Sequence, residues 1–178
     1  VPALIRPAEV QDNGIMAPTP ETAAAVRAAA AALVEAGAIV EEDRPAMLER
    51  TAELANNLSG ADGRAWVQRL LRQAGTVEIH PLLRQRFDEA KAFEVAEFTA
   101  LLEDVDRFRS GMLTFMEQYD AIVCPTCAYP APPHGQLMTD AMRQGTSYTG
   151  TYNLTGWPGA VVRGGTSPEG LPIGVQVV

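Results

Sequence analysis

Residues 95–126 read VAEFTALLEDVDRFRSGMLTFMEQYDAIVCPT, and this stretch decides the fold class. Phe98, Leu101, Leu102, Val105, Phe108, Met112, Phe115, Met116 and Tyr119 recur at i, i+3, i+4 and i+7 spacing. That period predicts a helix from about Val95 to Tyr119 with one apolar face. The opposite face carries Glu103, Asp104, Asp106, Arg107 and Glu117. Directly afterwards the pattern changes. Asp120-Ala121-Ile122-Val123-Cys124-Pro125-Thr126 is a short apolar run bounded by Asp and Pro, as expected of a buried strand. A long helix packed on a sheet or on other helices is the simplest reading of the first segment; an exposed partner-binding helix is the alternative.

Upstream, the same grammar appears in smaller form. Ile5 to Val10 is a short apolar stretch, read as strand, and Asn13-Gly14 is a turn signal. Thr19 can cap a helix, Pro20 suits its first position, and Glu21 suits the positive end of its dipole. Val26, Ala29, Ala30 and Leu33 share one face, and Gly37 is placed to end the helix. Ala38-Ile39-Val40 then reads as a short strand. Helix, glycine, strand is the order of an α/β layer. Pro45 to Arg72 is helical in composition with a break near Ser59–Gly63, and Trp66, Leu70 and Leu71 form the apolar side of its second half. His80-Pro81 opens another helix, continued by Leu82, Leu83 and Phe87.

Downstream, Ala128 to Gly135 is proline-rich and reads as an ordered loop. Met138 to Tyr152 is ambiguous and has room for a short helix. Ala160-Val161-Val162 and Ile173 to Val178 read as two strands, joined by a turn over Gly164–Gly170. The expected fold is therefore α/β, with helices packed around a mixed β-sheet. The chain stops inside its last strand and begins as abruptly, so both ends are expected to be cuts.

Composition narrows the function. With 47% hydrophobic and 20% charged residues, the chain reads as globular. A formal charge of −8 disfavours a nucleic-acid role, which needs clustered Lys and Arg. No stretch approaches the roughly 18–20 apolar residues of a membrane span. The first residues lack the sections of a signal peptide, so the expectation is cytoplasmic. Cys124 and Cys127 form C-x-x-C, yet Pro125 and the following prolines cannot open the helix that a redox pair uses. Zinc needs about four ligands, and only His134 is near. The cysteines read as small apolar residues at a strand end, and no metal or cofactor is expected.

Three segments in order resemble the amidase-signature family. They are Asp120–Thr126; Asn153-Leu154-Thr155-Gly156-Trp157-Pro158-Gly159; and Gly170-Leu171-Pro172-Ile173-Gly174-Val175-Gln176-Val177-Val178. The Thr19–Pro45 helix–strand unit is also similar to one that follows the signature in that family, while Ala46–Ala92 matches loosely. The resemblance makes residues 1–178 the C-terminal part of a single amidase domain, with the N-terminal catalytic part absent. It implies hydrolysis of carboxylic amides to acid plus ammonia or amine by Ser-Ser-Lys chemistry. It also implies that Pro125, Thr126, Thr149, Tyr152, Asn153 and Trp157 line a substrate-pocket wall. The partners implied are a small amide substrate, the remainder of the amidase domain and, in one variant, a second copy as a homodimer. Neither nucleic acid nor membrane is among them.

No catalytic residue of that family maps onto this chain. Lys91 is the only lysine, and Asp88, Glu89 and Glu94 around it favour its charged form, the wrong direction for a base. Ser59, Ser110, Ser147 and Ser167 include no adjacent pair. Asn153 is read as fixing a bend through its amide, and Gly164-Gly165-Thr166-Ser167 as a turn. Two other readings stand beside the amidase: the amidase component of a tRNA-dependent amidotransferase, and a non-catalytic binding or scaffold half-domain.

Overall fold

A computed structural model describes residues 5–136 and 139–178; the expected room for a helix beginning at Met138 falls partly outside them. The contacts gather into two units, residues 1–52 with 108–178, and residues 53–107. In the first, β1 (Pro7–Glu9), β2 (Glu41–Glu42), β3 (Ala121–Pro125), β4 (Ala160–Thr166) and β5 (Pro172–Val177) form one sheet in the order β2-β1-β3-β5-β4. β1 runs parallel to β2 and β3, and β5 runs antiparallel to β3 and β4. The sheet is mixed, as the sequence predicts. In chain order the helices are α1 (Pro20–Glu35), α2 (Thr51–Gly60), α3 (Ala65–Gln73), α4 (Pro81–Asp88), α5 (Val95–Met116), α6 (Asp140–Gln144) and α7 (Ser147–Thr155). A 3-10 turn, Ala46–Arg50, precedes α2.

One face of the sheet is covered by α1. Ala25 and Val26 pack against Val123, Ile173 and Val175, with Ala29, Leu33 and Val177 at the margin. Val26, Val123 and Val175 are fully buried, which contributes about 1.5–3 kcal/mol each. Alanines bring the helix close to the strands, and glycines answer them. A Cβ at Gly165 would lie 3.1 Å from Ala25 Cβ, and one at Gly164 would lie 2.4 Å from Val175 Cγ2. This corrects the turn reading of Gly164–Gly170. β4 continues through Thr166, and the pair shift between Arg163 and Gly165 is a bulge under α1. The turn proper is Ser167 to Gly170, closed by Gly170 N–H to Ser167 O at 2.9 Å.

α1 starts at Pro20 and ends as expected. Gly37 has φ +97, and Ala38 N–H reaches Leu33 O at 2.9 Å, satisfying a carbonyl of the last turn. Thr19 precedes the helix, but its hydroxyl bonds Thr22 Oγ1 at 3.0 Å rather than a helix N–H. The following strand is not Ala38–Val40. It is Glu41–Glu42, because pairing with Ala8 and Glu9 sets the register; an edge strand exposed on both sides needs no apolar residues. α5 is continuous but stops at Met116, three residues before the expected end. Val105, Phe108, Met112 and Tyr119 are buried, whereas Phe98 and Leu102 on the same stripe stay exposed.

The 53–107 unit keeps its own regularities. The expected break falls at residues 61–64, where Gly63 and Arg64 both have positive φ. Asp62 Oδ2 accepts Trp66 N–H at 2.8 Å, covering a free donor at the start of α3. His80 Nδ1 does the same for Leu82 N–H at 3.2 Å. The apolar side of α3 is exposed at Trp66 and Leu70, and neither α3 nor α4 contains a buried residue.

Candidate functional site

β3 ends at a residue held from two sides. Pro125 is buried, and its carbonyl accepts Gln176 Nε2 at 2.8 Å. The same amide donates to Tyr148 O at 3.2 Å, so one buried side chain on β5 fastens the strand end to α7. The next residue, Thr126, donates both its N–H and its hydroxyl to Gly174 O, at 3.3 and 3.2 Å. Glycine at 174 makes room, since a Cβ there would lie 2.9 Å from Thr126 Oγ1.

Beyond this clamp opens a cavity of about 300 Å³, lined among others by Thr22, Thr126, Cys127, Tyr129, Thr146 and Gly174. Its polar side chains are hydroxyls and a thiol, and none is a carboxylate or an ammonium. Tyr129 Oη donates to Met142 O at 2.5 Å, holding the proline-rich loop to α6. Such a wall can accept and donate hydrogen bonds to a neutral polar group; it offers no base to activate a nucleophile.

α7 is held from beneath by a buried polar network. Asn13 Nδ2 donates to Ser147 Oγ at 2.7 Å, and Asn13 Oδ1 accepts the N–H groups of Ile15 and Met16. Tyr148 Oη donates to Met16 O at 2.9 Å. Thr51 and Thr151 hydroxyls meet at 2.8 Å. Each of these buried groups thereby recovers a partner lost from water. Burial pushes the Tyr148 hydroxyl far above the usual range for tyrosine, so it stays a neutral donor. Tyr152 lies beside Cys124, with Oη and Sγ 3.3 Å apart. Burial raises the Cys124 thiol to about 11 and the Tyr152 hydroxyl well above its ordinary value. Cys124 is therefore an inert packed thiol, and both cysteines are free.

Of the six expected wall residues, Thr126 lines the cavity; Pro125 and Tyr152 are buried outside its lining, Pro125 bonded to Gln176 and Tyr152 to Cys124. Thr149 is half-buried and turned back, its hydroxyl donating to Thr146 O at 3.0 Å. Asn153, four residues on, is exposed within α7. It does not make the bend; Gly156 does, with φ +74, because the helix end needs a left-handed residue. Trp157 is half-buried beyond that turn. Gln176, Tyr148 and Asn13 do not stand out as site residues in the sequence. A glutamine inside the apolar run 175–178 is the one signal that points to any of them.

The remaining polar candidates are structural. Ser147 Oγ donates to Gln144 O at 2.5 Å, and Ser167 Oγ donates to Glu169 Oε2 at 2.8 Å. Lys91, His80 and His134 are exposed. Among the described residues, no group of three or more His, Cys, Asp or Glu is placed to hold a metal ion. Among them also, no helix is long and apolar enough to cross a membrane.

Three comparisons bear on this arrangement. A glutamyl-tRNA(Gln) amidotransferase subunit of Koribacter versatilis (strain Ellin345) is 31% identical over 89% of this chain and 38% of its own length. The 6-aminohexanoate-cyclic-dimer hydrolase of Pseudomonas sp. (strain NK87) is 28% identical over 93% of this chain and 38% of its own. A solved structure of 6-aminohexanoate cyclic dimer hydrolase with substrate superposes with TM-score 0.80 and 24% identity, over 100% of this chain and 42% of that one; at that identity the likeness concerns the fold. The chain thus spans about two fifths of the length of these relatives. The family model described as Amidase matches residues 6–178, and the chain belongs to the amidase-signature family.

Proposed function

We propose that this chain is part of an amidase that hydrolyses linear carboxylic amides to acid plus ammonia or amine, with its catalytic serines and lysine outside these 178 residues. The supporting observation is the family match along nearly the whole chain, in a sequence whose one lysine, Lys91, is exposed and whose serines include no adjacent pair. An amide needs an activated nucleophile and fixed oxyanion donors, and the hydroxyl-lined cavity after β3 supplies no base for either serine. Its part in the reading is a wall: Pro125, Thr126, Thr149, Tyr152, Asn153 and Trp157 bound the acyl or leaving-group side of the pocket, the exposed Asn153 against the rest of the domain. The test compares amide turnover by the 178-residue chain with turnover by the complete polypeptide that contains it. Activity only in the longer protein supports the reading, and robust turnover by the 178 residues alone refutes it.

A second reading is favoured by the relatives that are amidotransferase components. The chain then belongs to a protein that works in a larger assembly. Co-purification of the complete polypeptide with a different partner chain, together with amide transfer onto a charged tRNA, would select this reading over a free-standing amidase.

A further inference from the structure

The loop after β3 borders two cavities at once. Tyr129, Pro130, Ala131 and Pro132 line the hydroxyl-bearing cavity of about 300 Å³ and also an outer one of about 570 Å³. Tyr129 is the one large side chain in this shared wall, and several contacts fix it. The residue before it, Ala128, is fully buried; its N–H donates to Gly145 O at 3.0 Å, and its carbonyl accepts Thr19 N–H at 2.7 Å. The ring lies against Gly145, where a Cβ would be 2.3 Å from Tyr129 Cε1 and 2.9 Å from its Cδ1. The hydroxyl donates to Met142 O. Burial, with Cys127 beside it, raises that hydroxyl above its ordinary value, so it stays a neutral donor. Pro130, Pro132 and Pro133 restrict the backbone that follows. A ring held by its backbone, its edge and its hydroxyl does not swing aside without losing those contacts.

We propose that Tyr129 sets the length of the uncharged apolar arm of an amide substrate that the inner cavity accepts, by closing that cavity off from the outer one. The proposal deepens the amidase reading and rests on it. The inner cavity is at the lower end of the sizes usual for small-molecule sites. Its lining joins hydroxyls to Pro172 and Ile173 and carries no charged side chain. A charged arm would lose its hydration there without a partner, so the arm is neutral. Glu21, His134 and Glu169 line only the outer cavity, so the ring also divides an uncharged compartment from a charged one. With the ring gone, a longer chain gains a path along Pro133 and Leu171 of the outer lining. A residue that only braces the loop acts through its bond to Met142; one that limits length acts through its ring. Phenylalanine separates the two, because it keeps the ring and loses the bond.

The test uses the complete polypeptide with butyramide, hexanamide and octanamide. In the native protein kcat/KM should fall toward octanamide. Y129A should raise the octanamide-to-butyramide ratio of kcat/KM by about tenfold or more, the scale on which added methylenes are discriminated by an apolar pocket. Y129L keeps an apolar side chain against Gly145; it should raise the ratio less, and it guards against a folding loss in Y129A. Y129F should leave the ratio unchanged. A second readout needs no turnover. Cys127 is a free thiol in the inner cavity, and its alkylation by N-ethylmaleimide can be followed by peptide mass spectrometry. Butyramide should protect Cys127 in every variant, and octanamide only in Y129A and Y129L. A ratio unchanged in active Y129A and Y129L, a Y129F shift as large as that of Y129A, or no protection of Cys127 by any amide would each overturn the proposal. The expected protection without turnover in any variant would sink the amidase reading alone and leave Tyr129 as the length-setting residue of a binding site.

Discussion

The two units solve the same problem to different degrees. In residues 1–52 with 108–178, α1 and α7 bury Val26, Val123, Val175 and Tyr148 almost completely, and the polar groups of Asn13, Ser147 and Gln176 are bonded. In residues 53–107, α3 and α4 bury nothing, while Trp66, Leu70, Val77 and Leu82 stand exposed. Both have helical periodicity in their sequence. Periodicity prepares a face for burial; whether the face is buried depends on what the chain brings to it.

The sharpest way to break this contrast is Tyr148→Ala, measured by chemical denaturation. It removes a ring that is 2% exposed and a hydroxyl bonded to Met16 O, and should cost about 3–5 kcal/mol. A loss below about 1 kcal/mol would mean that α7 is not part of a close-packed core. Next comes Gly164→Val. Its Cβ would press on Val175 and approach the Ala25 carbonyl, and overpacking should cost about 1–3 kcal/mol. No loss would show that α1 can lift from β4. Asn13→Ala removes the donor to Ser147 and the acceptor of two backbone N–H groups, with an expected loss of about 1–3 kcal/mol.

Glu9→Gln tests the same unit by pH. Burial and the neighbouring Glu42 hold the folded pKa of Glu9 above its unfolded value, so the folded state binds the extra proton. Native stability then falls as pH rises from the unfolded value through the folded one. The variant lacks this loss, so it should gain relative to the native chain as pH rises through that window and lose the gain in acid. A gain independent of pH would point to another cause. The smallest effect is expected at Val77→Ser in the other unit. Val77 is 88% exposed, and the change should stay within about 0.5 kcal/mol. A large loss there would show that Val77 makes packing contacts that its exposure conceals.

Much of the secondary structure is legible in the sequence because it is local. Pro20 and Gly37 bound α1, Asp120 and Pro125 bound β3, and the long stripe of α5 follows from spacing alone. The errors fall where partners distant in sequence decide. Ala38–Val40 has strand composition, yet pairing with β1 puts the strand at Glu41–Glu42. Gly164-Gly165 has turn composition, yet the pair lies within β4 because α1 crosses there. Of the candidate wall, Thr126 is readable from the strand end it follows. Asn153 instead lies on the exposed side of α7, whose buried side is turned toward Cys124 and Gln176.

By itself the sequence determined the α/β alternation, the three motifs that resemble the amidase-signature family, and the lack of a serine–lysine pair. These are properties of residue order and of spacing within about one helix or strand. Tertiary structure alone decided which faces are buried, why β4 needs glycines, and that Glu9 is left with an unpartnered oxygen. Those outcomes depend on contacts such as Asn13 with Ser147, 134 residues apart, and Gln176 with Pro125, 51 apart. No local propensity encodes them, because each arises only when the sheet has brought its distant segments within hydrogen-bonding reach.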